Sequence, residues 1–456
     1  MRRASWPVCV LLAALLGCSL DDLSIPQGGD WGFAIIDSMK TPPDDPSLGC
    51  GVAIPPDSKA AQRTSCAFGS GAHVSETLGI TSSTLATVPI RHVIVLMKEN
   101  RSFDHLLGRL SERGQPGAET APPGYSNPGA DGAPIFPFHA TTTCIPYNPK
   151  HQSEAVAMCI DGGRMDGFVR NAAQTTSSDG TFAMSYYDEP DLPFYYWLAK
   201  TFAIADRHFP SMASGTYANR AYLMFGTNAG VVDTGVVLPS PRTPSIFQLL
   251  INAGFTWGVY TDGNPLSGTL AWRSSTPGVH SLTDLYEALD QGTLPNVAFV
   301  DGIEQVEDDE PTADLQRGEA WVKTIYDHAV TSPQWPRLAI VWTYDEAGAF
   351  ADHVPPPFGC RANATSFPDN QMGPRVPLVV ISPWAKRNYV SHVVHDHTAL
   401  TRFIEALFDL PALTGRDANS DALFDLFDFS CGRDLSIPDA PHPGSGLCPN
   451  PPPPAG

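Results

Sequence analysis

The chain has 456 residues, 42% of them hydrophobic, enough to bury a large core without help from repeats or disulfides. Its 28 Lys and Arg against 48 Asp and Glu give a formal net charge of −20, which argues against a surface that tracks nucleic acid or anionic lipid through positive potential. If so acidic a protein acts on a phosphate ester, it needs a bound cation to offset the phosphoryl charge, so oxygen ligands are the groups to look for.

Arg2 and Arg3 open the chain, an apolar stretch runs from Val8 to Leu16, and Leu15-Leu16-Gly17-Cys18 follows. This order reads as a signal peptide over residues 1–17 ending in a lipobox, and predicts export with lipid on Cys18; ordinary cleavage is the alternative. The protein is then a lipoprotein anchored at a bacterial cell envelope, or otherwise periplasmic or secreted. It meets membrane only through that anchor, because no other stretch approaches the ~20 apolar residues of a span. Residues 18–88 are rich in Pro, Gly, Ser and Asp, the composition of a tether and a loosely packed N-terminal wrap.

Within residues 89–435, short apolar runs bounded by turn residues recur at His92 to Met97, Phe202 to Ala205, Phe255 to Tyr260, Asn296 to Val300, Leu338 to Thr343 and Pro377 to Ser382. They read as buried strands, with helical patterns between them at Gly318 to Val330 and Thr398 to Leu410. Strands alternating with helices predict one α/β domain: a doubly wound, mostly parallel sheet with helices on both faces and its site beyond the carboxyl ends of the strands. Residues 436–456, which include the run Pro451 to Pro454, form a Pro-rich tail. Of nine cysteines, sequence neighbours suggest the pairs Cys50 with Cys66, Cys144 with Cys159 and Cys431 with Cys448, leaving Cys360 free, although spacing alone does not fix connectivity.

Polar clusters stand at the ends of two of these strands. His92 to Met97 is followed by Lys98-Glu99-Asn100, and Leu338 to Trp342 by Thr343-Tyr344-Asp345-Glu346. Glu, Asn and Asp are hard oxygen ligands suited to a divalent cation, and each cluster alone also reads as a helix cap or a solvated turn. Ser214-Gly215-Thr216-Tyr217-Ala218-Asn219-Arg220 precedes an apolar helical stretch. Thr216 there is either a nucleophile presented at a helix start or an N-cap. Arg101, Arg164 and Arg220 suit either phosphate or structural ion pairs.

The segment Arg91-His-Val-Ile-Val-Leu-Met-Lys-Glu-Asn-Arg-Ser-Phe-Asp-His-Leu-Leu-Gly108 resembles the opening motif of the bacterial phosphoesterases that include phospholipases C and an acid phosphatase, whose core is related to alkaline phosphatase. Asp161 to Phe168, Ser214 to Arg220, Tyr344 to Val354 and His395-Asp396-His397-Thr398 extend the likeness in order over about residues 88–430. The resemblance implies one divalent metal ion, its identity undefined, held by Glu99, Asn100, Thr216, Asp345 and Glu346. It further implies Thr216 as nucleophile, His151 and His397 as accessory catalytic histidines, and Arg220, Asn219, His353 and Asp309 as substrate-binding residues. His353 is also placed to orient the Asp345-Glu346 turn. Where relatives commonly carry an acid-His-Pro unit, this chain reads Asp308-Asp309-Glu310-Pro311, which puts the family's leaving-group protonation in question.

The function these residues imply is a metal-dependent phosphoric ester hydrolase of phospholipase C type, acting on a phosphate-ester or phospholipid substrate and not on nucleic acid. An acid phosphatase-type phosphomonoesterase is the alternative within the class. A catalytically inactive surface-binding lipoprotein is the alternative outside it. Oligomeric state is not encoded in any motif.

Overall fold

A computed structural model describes residues 50–228, 230–232, 243–263, 278–363, 370–431, 436–444 and Cys448. The expected signal peptide, Cys18 and the expected tether as far as residue 49 lie outside the described residues.

The apolar runs become strands of one sheet because each is too uniformly hydrophobic to leave either face in water. They are β1 (His92–Lys98), β2 (Ala203–Ala205), β3 (Trp257–Tyr260), β4 (Val279–His280), β5 (Val297–Val300), β6 (Leu338–Tyr344), β7 (Leu378–Ile381) and β8 (Tyr389–Ser391). Their order across the sheet is β8-β2-β7-β6-β1-β5-β3-β4. The run β6-β1-β5-β3-β4 is parallel throughout, and β8 is parallel to β2. Only β7 runs against its neighbours, pairing antiparallel with both β6 and β2. The mostly parallel α/β sheet is thus as expected, and each expected strand is present, most of them trimmed at the ends. β4 and β8 carry no legible signal, since two or three residues are too few to show a period.

Three helices matter for the site: α1 (Thr216–Phe225), α2 (Leu315–Thr331) and α3 (His397–Leu407). α2 begins before the expected Gly318 because the Asp314 side chain caps it, accepting from the Gln316 amide. α3 begins at His397, capped by Asp396 accepting from the Thr398 amide. Among the described residues no helix is long and apolar enough to cross a membrane.

The N-terminal wrap is packed more firmly than its composition suggests. Val74, Leu78, Ile80, Leu85 and Val88 are buried in the main core. The cysteine pairing also differs from the neighbour scheme: Cys50 joins Cys431, Cys66 joins Cys360, Cys144 joins Cys448, and Cys159 is the free, buried thiol. The bridges span 381, 294 and 304 residues, because the wrap and the tail fold back over the central domain and meet partners remote in the chain. Closing loops of this length removes several kcal/mol of unfolded-state entropy each in the chain-entropy account.

Candidate active site

Parallel neighbours end at the same edge of a sheet, and the register here sets three acids side by side. Leu96 is level with Val300 and Lys98 with Tyr344, so Glu99 after β1, Asp301 after β5 and Asp345 after β6 emerge together. Backbone hydrogen bonds extend the ladder into the loops: Asp345 N to Lys98 O at 3.0 Å, Glu99 N to Asp308 O at 2.9 Å and Arg101 N to Glu346 O at 3.2 Å. Asn100 turns the chain in a left-handed conformation, φ 64°. Gly348 closes over it so tightly that a Cβ would lie 2.3 Å from the Asn100 carbonyl oxygen, and only glycine fits there.

Opposite this edge stands α1. Its N-cap is Gly215, and Thr216 is the first helical residue. The Thr216 hydroxyl donates to Glu99 Oε2 at 2.9 Å instead of accepting a backbone amide, so the capping reading of this threonine does not hold. Asn219, expected to meet substrate, shapes the turn: its Oδ1 accepts from Met212 N at 2.9 Å and its Nδ2 donates to Ser214 O at 2.8 Å. A side-chain amide engaged at both ends with backbone locks the entry to the helix.

Arg220, one turn further along α1, is buried among the carboxylates. Its Nη2 donates to Glu99 Oε1 at 2.6 Å, its Nη1 to Asp301 Oδ1 at 2.8 Å, and its Nε lies 3.3 Å from Asp345 Oδ2. Burial works against its charge, but these three acids outweigh it and raise its pKa. The expected phosphate fork is therefore a clamp that fixes three strand-end acids. Replacing Arg220 with Met is expected to destabilise the fold by roughly 3–5 kcal/mol, the usual result of leaving buried charges without their partner, as read from chemical denaturation.

Asp345 and Glu346 complete the acid group. Burial, and for Asp345 the nearby Glu99, pushes both carboxyls up, Glu346 to about 7. Glu346 Oε2 accepts the Gly348 amide at 2.7 Å. Its Oε1, with Asp345 Oδ1 and both side-chain polar atoms of Asn100, is buried without a hydrogen-bond partner. Unpartnered buried oxygens on two acids and an amide, beside three carboxylates gathered on one guanidinium, are what a hard divalent cation satisfies. In chemistry these donors suit the divalent ion expected from the sequence.

The histidines divide. His151 lies at the rim of this group, Nδ1 2.9 Å from Pro149 O and Nε2 3.9 Å from Glu346 Oε1; burial opposes its charge, but Glu346 and Pro149 outweigh it and raise its pKa. His397 does not face a cleft. It is fully buried, its Nε2 is 3.0 Å from the Tyr344 carbonyl, and burial drives its pKa to about 4. The imidazole donates through Nε2 to the carbonyl before Asp345, and its Nδ1 is buried without a hydrogen-bond partner.

Two further expectations are relocated. Asp309 is buried beneath the loops, its Oδ2 2.8 Å from Lys98 Nζ, 3.0 Å from Tyr195 Oη and 2.6 Å from Tyr344 Oη, so it braces β1 and β6 from below instead of touching substrate. His353 is held in a separate cluster: its Nδ1 is 2.6 Å from Asp104 Oδ2, and Arg375 ties Asp104 to Asp352. Arg101 donates to the Asp309 carbonyl and Arg164 is exposed beside Asp161. Asp301 went unnoticed in the sequence, although it follows an apolar run in the same way as Glu99 and Asp345. Glu310, in the Asp308-Asp309-Glu310-Pro311 unit, does face the group. Asn148 Nδ2 donates to it at 2.8 Å, and burial, then Glu99 and Glu304, push its carboxyl up to about 7.

Residues 90–411 match the Phosphoesterase family. The chain belongs to that family. This phosphoesterase is 30% identical over 375 residues to non-specific phospholipase C1 of Arabidopsis thaliana, covering 72% of this chain and 69% of that one. It is 28% identical over 428 residues to phospholipase C A of Mycobacterium tuberculosis, covering 79% and 81%. Among solved structures, the phosphonate monoester hydrolase of Agrobacterium radiobacter aligns over 70% of this chain and 74% of its own with 10% identity and a TM-score of 0.36. A protein of the alkaline phosphatase superfamily from Vibrio parahaemolyticus aligns with a TM-score of 0.34 at 12% identity. Likeness of that degree carries no argument about the site. The family and its relatives make the phosphoesterase a hydrolase of phosphoric esters, phospholipase C-like in kind.

Proposed function

We propose that this phosphoesterase is a divalent-metal-dependent phospholipase C-type hydrolase that attacks phosphorus through Thr216. The observation that carries the reading is the Thr216 hydroxyl at the start of α1, 2.9 Å from Glu99, beside buried oxygens of Asn100, Asp345 and Glu346 that have no protein partner. Glu99, Asn100, Asp345 and Glu346, with Thr216 itself, would hold the cation. Bound there, it would lower the hydroxyl's pKa and offset charge on the phosphoryl oxygens.

The chain's own residues supply the rest. Thr216 Oγ forms the bond to phosphorus while its proton passes to Glu99, the acceptor it already addresses, and the amides of the first turn of α1 would face the phosphoryl oxygens. The P–O bond to the leaving alkoxide breaks as His151 or Glu310, the acids bordering the group, supplies a proton. The resulting phosphothreonine is opened by water, with the same acid now acting as base, and Thr216 is restored.

Diester phospholipid is the substrate favoured by the names of the relatives, and three disulfides suit an exported enzyme. The expected result is release of phosphocholine from phosphatidylcholine vesicles with kcat/KM at least about tenfold above that for p-nitrophenyl phosphate, a margin of some 1.4 kcal/mol in transition-state binding. The opposite preference would assign the protein to the phosphomonoesterases.

A further inference from the structure

On the far side of α3's start, His395 is fully buried, in a two-residue parallel pairing with His208–Phe209. Neither ring nitrogen makes a hydrogen bond. Nδ1 lies 3.8 Å from Asp421 Oδ1 and Nε2 lies 4.0 Å from Asp425 Oδ1, too far for hydrogen bonds. Asp425 Oδ1 is likewise without a partner. A buried imidazole and a buried carboxylate oxygen that face each other and leave their polar atoms unmet are costly unless something sits between them.

Asp425 is held by its other oxygen and Asp421 by both. Asp425 Oδ2 accepts the Ser391 hydroxyl. Asp421 Oδ2 is 3.5 Å from Arg63 Nη2, and Arg63 is itself anchored on the Thr77 carbonyl at 2.8 Å and on Asp57. Asp421 Oδ1 also accepts the Leu423 amide at 2.8 Å. Outer partners that turn both Oδ1 atoms toward one histidine are the usual support of a metal ligand set. One ligand atom from each of the three residues lies within 4.8 Å of the other two. An ion takes one imidazole nitrogen, and ligands on a tetrahedral ion stand about 3.4 Å apart, so the trio must contract while the ring or one acid turns to bring both carboxylates to the same nitrogen. The side chains of Asp421 and Asp425 are 17% and 26% exposed, which leaves an entry path and an outer position for water.

We infer that His395, Asp421 and Asp425 form a second divalent-cation site, separate from the oxygen-rich set beside Thr216. One imidazole and two carboxylates suit Zn²⁺ or Mn²⁺ better than Ca²⁺ or Mg²⁺, which take all-oxygen ligands. The site is structural: it joins the strand feeding α3, the segment after it and, through Arg63, the N-terminal wrap.

The test is metal content of the full exported chain, equilibrated with Zn²⁺ and separately with Mn²⁺ and freed of unbound ion. Wild type is expected to retain two equivalents, D345N/E346Q one, and D421N/D425N one. Zn²⁺ is expected to raise the melting temperature of D345N/E346Q, and X-ray absorption of that sample to show a single imidazole nitrogen among oxygen ligands. A D345N/E346Q protein that melts normally yet holds no metal, or holds it without imidazole, overturns the second site and leaves the catalytic reading standing if D421N/D425N keeps its equivalent. Metal kept by D345N/E346Q through an imidazole, and absent from folded D421N/D425N, supports the second site and removes the metal from Thr216 instead. Should D421N/D425N fail to fold, H395Q in the D345N/E346Q background decides: retained metal overturns the inference, lost metal with the fold intact supports it.

Discussion

Thr216→Ala is expected to cut turnover by about a thousandfold or more, some 4 kcal/mol in the barrier, with the fold unchanged and metal still held by the four remaining ligands. Loss of an N-cap would cost about 1 kcal/mol of stability and spare the chemistry. Here Gly215 occupies the cap and the Thr216 hydroxyl points to Glu99, so the stability change should be small and the kinetic change large. Thr216→Ser keeps the hydroxyl and should retain measurable activity. Acid quenching of the wild type during turnover of a labelled substrate should trap phosphate on Thr216. A Thr216→Ala protein that turns over normally would assign the attack to another group.

Removing the metal ligands is the second large effect. Asp345→Ala or Glu346→Ala should leave the purified protein with little metal at this site and with turnover near background, because each takes a charged oxygen from a set with few substitutes. Chelation of the wild type should do the same and reverse when Zn²⁺ or Mn²⁺ is restored. The stability of the two variants should move differently from their activity. Asp345 and Glu346 are buried acids whose carboxyls are pushed up by burial, so without metal their removal relieves a desolvation cost and should not lower the melting temperature much. Asp345 is also a partner of Arg220, but Glu99 and Asp301 still hold the guanidinium. Full activity in metal-free wild type would overturn the mechanism while leaving the family assignment intact.

Much of the candidate site was legible because its parts are local. An apolar run that ends in Glu99-Asn100, or in Asp345-Glu346, announces both a buried strand and hard ligands at its end. Gly215-Thr216 before an apolar helix announces a helix start. What lies around these residues was not legible. The bonds from Arg220 to Glu99, Asp301 and Asp345 join residues 81 to 125 positions apart, and only the strand order β6-β1-β5 makes them neighbours. Asp309 could not be told from a substrate ligand until Lys98, Tyr195 and Tyr344 were seen around it.

The sequence by itself determined the element types, the mostly parallel sheet, the family and the chemistry of the residues offered at the strand ends, because hydrophobic period, turn residues and ligand hardness are properties of short segments. Tertiary structure alone decided which of those residues meet. It moved His397 from cleft to core, since a histidine at a helix start is buried or exposed according to what packs over it. It paired Cys50, Cys66 and Cys144 with cysteines some 300 or more positions away. It also brought His395 against Asp421 and Asp425, because burial and charge act through space and spacing along the chain does not record them.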